Sequence, residues 1–346
     1  MVTLEQIRSS NSQIQTALRP GIVAVFAGAT SGIGETALKQ FAKNAAKPRI
    51  YFLGRSKESG NRISAELQQL NPEGEYIFIS VDVSLLRSVD DVCREIKAKE
   101  PALNLLFLST GTMVTGKTTD EGLNYPVAVA FYARLRFIVN LLPLLQNATD
   151  LRRVVTVLAG TKEGVINTDD LRGDHVIRSR RVIGHFSSMT TLALEAIAQN
   201  APTVSFVHNH PGFVKTNFGK DVKGLLFTIL RAVFEVVFLV IGPFIATPFD
   251  ESGERQTFFA TSARFPPGRS EYDDAAAGVP LPEGVAVARG TDGKNGSGVY
   301  SISNDGESAP PRVEQLLERF RKDGNAEKVW SLVEEEFVRI TGAVSA

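Results

Sequence analysis

From Gly21 onward, short apolar runs alternate with stretches of helical period. GIVAVFAG (21–28) is followed by ETALKQFAKNAA (35–46), RIYFLG (49–54), an amphipathic stretch at 59–70 and YIFISVDV (76–83). NLLFLST (104–110), an apolar helix through 123–145, RRVVTVL (152–158), a helix from about His185 to Gln199 and TVSFVH (203–208) continue the alternation. Runs that are apolar along their whole length predict strands buried on both faces, and the intervening helices predict right-handed crossovers. The pattern therefore predicts an α/β fold: a doubly wound parallel sheet with helices on both faces.

Ahead of this core, Leu4, Ile7, Ile14 and Leu18 fall roughly on one helical face, which predicts a surface helix within residues 1–20. Beyond residue 217 the alternation breaks down. An apolar stretch, Leu225 to Thr247, is interrupted by Arg231, Glu235 and Pro243, so no uncharged run reaches the roughly 18 residues of a bilayer span. It is expected to form helices, within about 221–262, that cover an apolar substrate pocket, with peripheral membrane contact through 225–247 left open. A Pro-, Gly- and Asp-rich segment, Arg264 to Gly298, predicts a long and mobile surface loop ahead of a last strand at GVYSIS (298–303). Helices near Arg312 to Arg321 and Ala326 to Ile340 form a C-terminal helical extension, so a single domain of 21–310 is flanked by 1–20 and 311–346.

Composition narrows the function classes. Among 346 residues, 38 basic side chains balance 38 acidic ones, which leaves no electrostatic footprint for nucleic acid. The apolar share of 43% is enough to build a core. The single cysteine, Cys93, allows no internal disulfide and no cysteine-based metal cluster. Neither a basic start nor an apolar leader opens the chain, so an intracellular, cytoplasmic protein is expected.

The chemistry begins after the first strand, at AGATSGIGETALKQF. Gly28, Gly32 and Gly34 precede a helix directly, as a tight turn needs where a pyrophosphate must approach the backbone and meet free N–H groups. The spacing, with Ala29, Thr30 and Ser31 between the first two glycines, resembles the short-chain dehydrogenase/reductase family. The likeness runs from Gly21 to Thr216, and the layout beyond is similar to fungal members of secondary-metabolite pathways. The resemblance implies a Rossmann fold and a cofactor site formed by Gly28, Thr30, Ser31, Gly32, Ile33 and Gly34. In that family an acid at the end of the second strand selects NAD; here Gly54 and Arg55 stand there, which implies NADP(H) with Arg55 on the 2′-phosphate. Asp82 and Val83 would meet the adenine, Gly111 belongs to the turn after the fourth strand, and the P-G-x-x-x-T segment within HPGFVKTN would bring Thr216 to the carboxamide.

The family's catalytic Asn, Ser, Tyr and Lys are not matched. Alignment of GHFSSMTTL with Y-x-x-S-K-x-x-L puts His185 at the tyrosine and Met189 at the lysine; Ala159 falls at the serine and Ala130 at the asparagine. Methionine carries no charge with which to anchor a ribose. His185 is the candidate proton donor, since imidazole titrates near neutrality, and Thr161 is a candidate hydroxyl two residues past the lost serine. His208 and His210 flank Asn209, but no third ligand accompanies them, so no metal is expected. Ser187 and Ser188 lack an arranged histidine and acid, so hydrolysis is not expected.

Three functions survive. The first is an NADP(H)-dependent oxidoreductase acting on a small apolar, preactivated intermediate of polyketide or terpenoid type, with atypical proton delivery. The second is a non-redox cyclase or isomerase, and the third a nucleotide-binding pseudoenzyme. The intact phosphate turn favours the first; homo-oligomerisation is left open.

Overall fold

The computed structural model describes residues 1–216, 246–268 and 277–346. Its centre is a seven-stranded parallel sheet in the order β3-β2-β1-β4-β5-β6-β7, made of β1 (Val23–Ala27), β2 (Arg49–Gly54), β3 (Glu75–Ser80), β4 (Leu105–Leu108), β5 (Arg153–Val157), β6 (Ser205–Asn209) and β7 (Val299–Ile302). Every strand predicted from the sequence is present. β1, β4, β5 and β6 are buried along almost their whole length, as the unbroken apolar runs require. The strand order reverses between β1 and β4, which opens a crevice at the carboxyl ends of these strands.

One helical layer holds α3 (Gly32–Asn44) and α4 (Lys57–Leu70), and the other is built on α5 (Leu86–Lys99), α6 (Tyr125–Asn147) and α7 (Val182–Asn200). The predicted N-terminal helix is α1 (Leu4–Ser12) followed by a short α2 (Ile14–Ala17); Ile7, Ile14 and Leu18 join the core on the α3 side. The C-terminal pair is α9 (Pro311–Lys322) and α10 (Asn325–Thr341), and α10 packs on α7. Helix α5 goes beyond the sequence reading. Its first N–H groups are capped from a distance: the Glu121 carboxylate accepts from Leu86 N at 2.6 Å and Arg87 N at 3.0 Å.

Two expectations for the later chain change. Helix α8 (Phe249–Thr261) does not cover a substrate pocket; it packs against α3 and α1 with Gly253 on the Thr36 backbone. The rest of that expectation, including membrane contact through 225–247, falls almost wholly on 217–245, outside the described residues. The described parts of the 264–298 loop are tied down: Arg264 donates to Gly306 O, Ala286 O and Glu307, and Arg289 to Glu314 and Ala309 O. Among the described residues one helix, α6, is long and apolar enough to cross a bilayer, but 78% of its apolar window is buried inside the fold.

Candidate active site

At the crevice lies a cavity of about 780 Å³. Its inner half is the turn between β1 and α3. Gly28 has φ +84° and presses on the backbone of Thr110, where a Cβ would sit 2.7 Å from Thr110 N. Gly32, at φ +61°, faces Thr216. Ser31, at the N-cap of α3, makes no side-chain cap bond, so the first-turn N–H groups are left for a ligand. Glu35, an acid in that same turn, is drawn off by Arg62 and Lys39, whose hydrogen bonds hold its carboxyl below the usual range against the opposing pull of burial.

All the residues predicted for the cofactor line this one cavity: Gly28, Thr30, Ser31, Gly32, Ile33, Gly34, Arg55, Asp82, Val83, Gly111 and Thr216. Position 54 has no room for a carboxylate, because a Cβ there would run into the Thr30 side chain. Arg55 next to it lines the cavity and donates to the Tyr125 hydroxyl at 3.2 Å. The outer half is apolar, with Met113, Val114, Ile177, Val182, Ile183 and Phe186.

Helix α6 contributes through a wide turn. Residues Ala128–Tyr132 form a π-turn in which Ala133 N–H reaches back to Ala128 O, and Thr110 Oγ1 takes up the Val129 carbonyl at 2.9 Å. This brings Val129, Ala130 and Phe131 to the cavity wall together with Arg134.

The two residues predicted to be catalytic are elsewhere. His185 does not line the cavity; its ring is fully buried, burial pushes its pKa down, and Nδ1 accepts the Asn167 N–H at 3.1 Å. Thr161 does not line it either. Its backbone is left-handed, at φ +66°, and its N–H donates to Ser301 Oγ at 2.7 Å. The alignment behind His185 and Met189 also shifts: Met189 is fully buried, and the residues that α7 turns to the cavity are Val182, Ile183, Phe186 and Ser187. The i,i+4 pairs facing the site are therefore 182/186 and 183/187.

Sequence reasoning assigned no part in this site to several polar residues of the wall, among them Arg134, Lys162, Ser187 and His210. His210 Nδ1 accepts from Gly212 N–H at 3.2 Å, which leaves the proton of the neutral ring on Nε2. Burial, with the Lys162 charge adding to it, lowers the pKa of His210. Lys162 is aimed by its neighbours: the left-handed Thr161 turns the chain, and Glu163 goes inward to a buried network. Thr191 Oγ1 and Ser301 Oγ both donate to Glu163 Oε1, at 2.8 and 2.6 Å, and Thr191 Oγ1 also meets His208 Nδ1 at 2.9 Å. Ala159 N–H donates to His208 Nε2, so the strand-end histidine is structural. Desolvation holds its pKa down at about 3 and pushes that of Glu163 up.

Comparison with known proteins decides the family. A short chain dehydrogenase profile matches residues 22–159, and the chain is 38% identical to Oxidoreductase andH of Emericella variicolor over 99% of both chains. The chain belongs to the short-chain dehydrogenase/reductase family. It is an oxidoreductase by this membership, and is also similar to Short-chain dehydrogenase/reductase SAT2 of Stachybotrys chartarum, 28% identical over 95% of each chain. The fold matches that of the 3-oxoacyl (acyl-carrier-protein) reductase of Agrobacterium tumefaciens C58, solved with NADP bound, with a TM-score of 0.53 and 16% identity over 72% of this chain and 90% of that one. As a short-chain dehydrogenase/reductase, the chain is unusual in turning no tyrosine or lysine of α7 to its cavity.

Proposed function

We propose that this protein is an NADP(H)-dependent reductase of a small apolar substrate of the polyketide or terpenoid kind, whose reacting group is already polarised. The observation that carries the cofactor half is the end of β2, where Gly54 leaves no acid to repel a 2′-phosphate and Arg55 stands in the cavity. The uncapped start of α3 fits a pyrophosphate. When bound, the dinucleotide supplies hydride at its nicotinamide carbon.

The chain's own residues then have defined tasks. Ser31 to Gly34 hold the pyrophosphate, Arg55 the 2′-phosphate, Asp82 and Val83 the adenine, and Gly111 and Thr216 frame the nicotinamide half. Met113, Ile177, Ile183 and Phe186 exclude water from an apolar substrate. No tyrosine on α7 delivers the proton. Nε2–H of neutral His210 polarises a carbonyl oxygen, and the Lys162 ammonium releases the proton to that oxygen and recovers it from solvent.

Calorimetric titration with NADPH and NADH tests the reading. NADPH is expected to bind more tightly, and Arg55→Ala to reduce that margin by about 10- to 100-fold, the worth of a charge-assisted hydrogen bond. Equal affinity for the two nucleotides in the unaltered protein would overturn NADP(H) selectivity.

A further inference from the structure

We propose that Arg134 is the fixed cation of the nicotinamide pocket, and that it makes the cleft hold the reduced coenzyme more tightly than the oxidised one. The inference rests on the reading of the cleft as an NADP(H) site, and goes beyond it by assigning a redox-state preference to one side chain.

Arg134 is only 2% exposed, yet it lines the cavity. Its guanidinium forks onto the carbonyl oxygens of Leu108, at 2.8 Å, and of Thr110, so it grips the turn that follows β4. Its Nε has no partner, and no carboxylate pairs with it among the described residues. Arg136, two residues further on and on the opposite side of the same helix, shows the contrasting arrangement: Asp90 neutralises it through two hydrogen bonds of 2.6 and 2.8 Å. Arg153, whose Nε is likewise unpartnered, binds the carbonyl oxygens of Phe259, Ser262 and Ala277 and does not line the cavity, so what sets Arg134 apart is its place on the cavity wall.

Burial lowers the pKa of Arg134 only to about 9, so it stays charged at neutral pH. Its field reaches the end of β5: next to burial, which is the main cause, it depresses the basicity of His208, whose Nε2 accepts from the N–H of Ala159 on the cavity wall. Helix α7 offers no cation to the cavity; Lys162, beyond β5, is an exposed one, and Arg134 of α6 is the one that is buried and held in place. The oxidised nicotinamide ring carries a positive charge and the reduced ring is neutral. An unneutralised cation in low-dielectric surroundings therefore penalises the first and spares the second. The consequence is a resting enzyme loaded with reduced coenzyme, which sheds the oxidised form after turnover.

The test measures dissociation constants for NADPH, NADP⁺ and adenosine 2′,5′-bisphosphate on the unaltered protein, Arg134→Lys and Arg134→Gln, with a thermal melt of each. The unaltered protein is expected to bind NADPH at least about tenfold more tightly than NADP⁺, the lower end of what a coupling of about 1.4 kcal/mol or more gives. Arg134→Gln, which keeps amide donors for the carbonyl oxygens but carries no charge, is expected to erase most of that ratio. Arg134→Lys is expected to preserve it, and the bisphosphate, which lacks the nicotinamide, to bind all three alike. An unchanged ratio in Arg134→Gln, or a ratio near one in the unaltered protein, overturns the role of Arg134 while leaving the coenzyme reading standing. The second of these outcomes is readable even where Arg134→Gln fails to fold. Failure of the unaltered protein to bind the bisphosphate or either nucleotide overturns the coenzyme reading itself and the inference with it.

Discussion

Ser187 Oγ donates to the carbonyl oxygen of Ala159 at 2.5 Å, tying α7 to the end of β5 at the wall of the cavity. The bond fixes which face of α7 looks inward, so a tyrosine and lysine placed there belong at 183 and 187. The double variant Ile183→Tyr/Ser187→Lys is expected to acquire NADPH-dependent reduction of simple aromatic ketones, followed as loss of NADPH absorbance. His185→Tyr/Met189→Lys is expected to gain none. It should instead melt lower, because an ammonium at the fully buried Met189 costs several kcal/mol, of order 3–5.

The strands and the phosphate turn were legible because their signals are local. An unbroken run such as LLFL or a glycine cluster ahead of a helix has one physical meaning wherever it lies. The catalytic face of α7 was not legible, because almost the whole helix from His185 to Leu194 is buried and its periodicity carries no inside and outside. Ile183, just before that run, is exposed on the cavity wall while His185 is buried, a difference that two neighbouring positions in an apolar helix do not announce. Helix α5 was missed for a related reason: Leu85 at its start has no capping side chain, and Glu121 supplies the cap from 35 residues away. Arg134 did leave a trace, as a charge inside an apolar helix, but nothing in the sequence says whether such a charge faces an acid, as Arg136 does, or a cleft.

His208 makes the fold sensitive to acid. Its folded pKa of about 3 lies below the ordinary imidazole value, so its contribution is complete above pH 6.5 and is lost as pH falls from there toward 3. The loss amounts to about 1.4 kcal/mol per pH unit across that window. His185 and His210 act in the same direction; Glu163, whose folded pKa is raised, acts in the opposite one, favouring the fold at low pH and costing stability as pH rises through the upper carboxylate range. The informative quantity is therefore the difference in urea-unfolding free energy between the unaltered protein and His208→Gln. That difference should shrink from pH 7 to pH 5 by about 2 kcal/mol, and a constant difference would refute it.

Arg136 holds the C-terminal residues. Besides Asp90 it donates to Thr341 Oγ1 and to the carbonyl oxygens of Ala343 and Val344, while Asn140 also binds Asp90. Arg136→Met strands the Asp90 carboxylate in the interior and is expected to cost about 3–5 kcal/mol. The unfolding midpoint in guanidinium chloride checks it, and residues 341–346 should become accessible to carboxypeptidase under native conditions.

Gly28→Ala is expected to cost about 3 kcal/mol, since the new methyl meets the Thr110 backbone and the left-handed φ disfavours any side chain. Thr161→Gly should do the reverse. It relieves a left-handed threonine by about 1 kcal/mol and keeps the N–H bond to Ser301. It should also leave NADPH binding unchanged, as measured by nucleotide fluorescence, because the threonine lies off the cavity.

The wide turn at Ala128–Tyr132 acts as a phase shifter for the rest of its helix. It uses one residue more than a regular turn, so each side chain after it is rotated by about 100° relative to a continuous α-helix. Deleting Ala130 would straighten the coil and swing Arg134 off the β4 turn, while carrying Arg136 away from Asp90. The one extra residue of this turn therefore sets both the pocket-facing arginine and the arginine that holds the C-terminal residues.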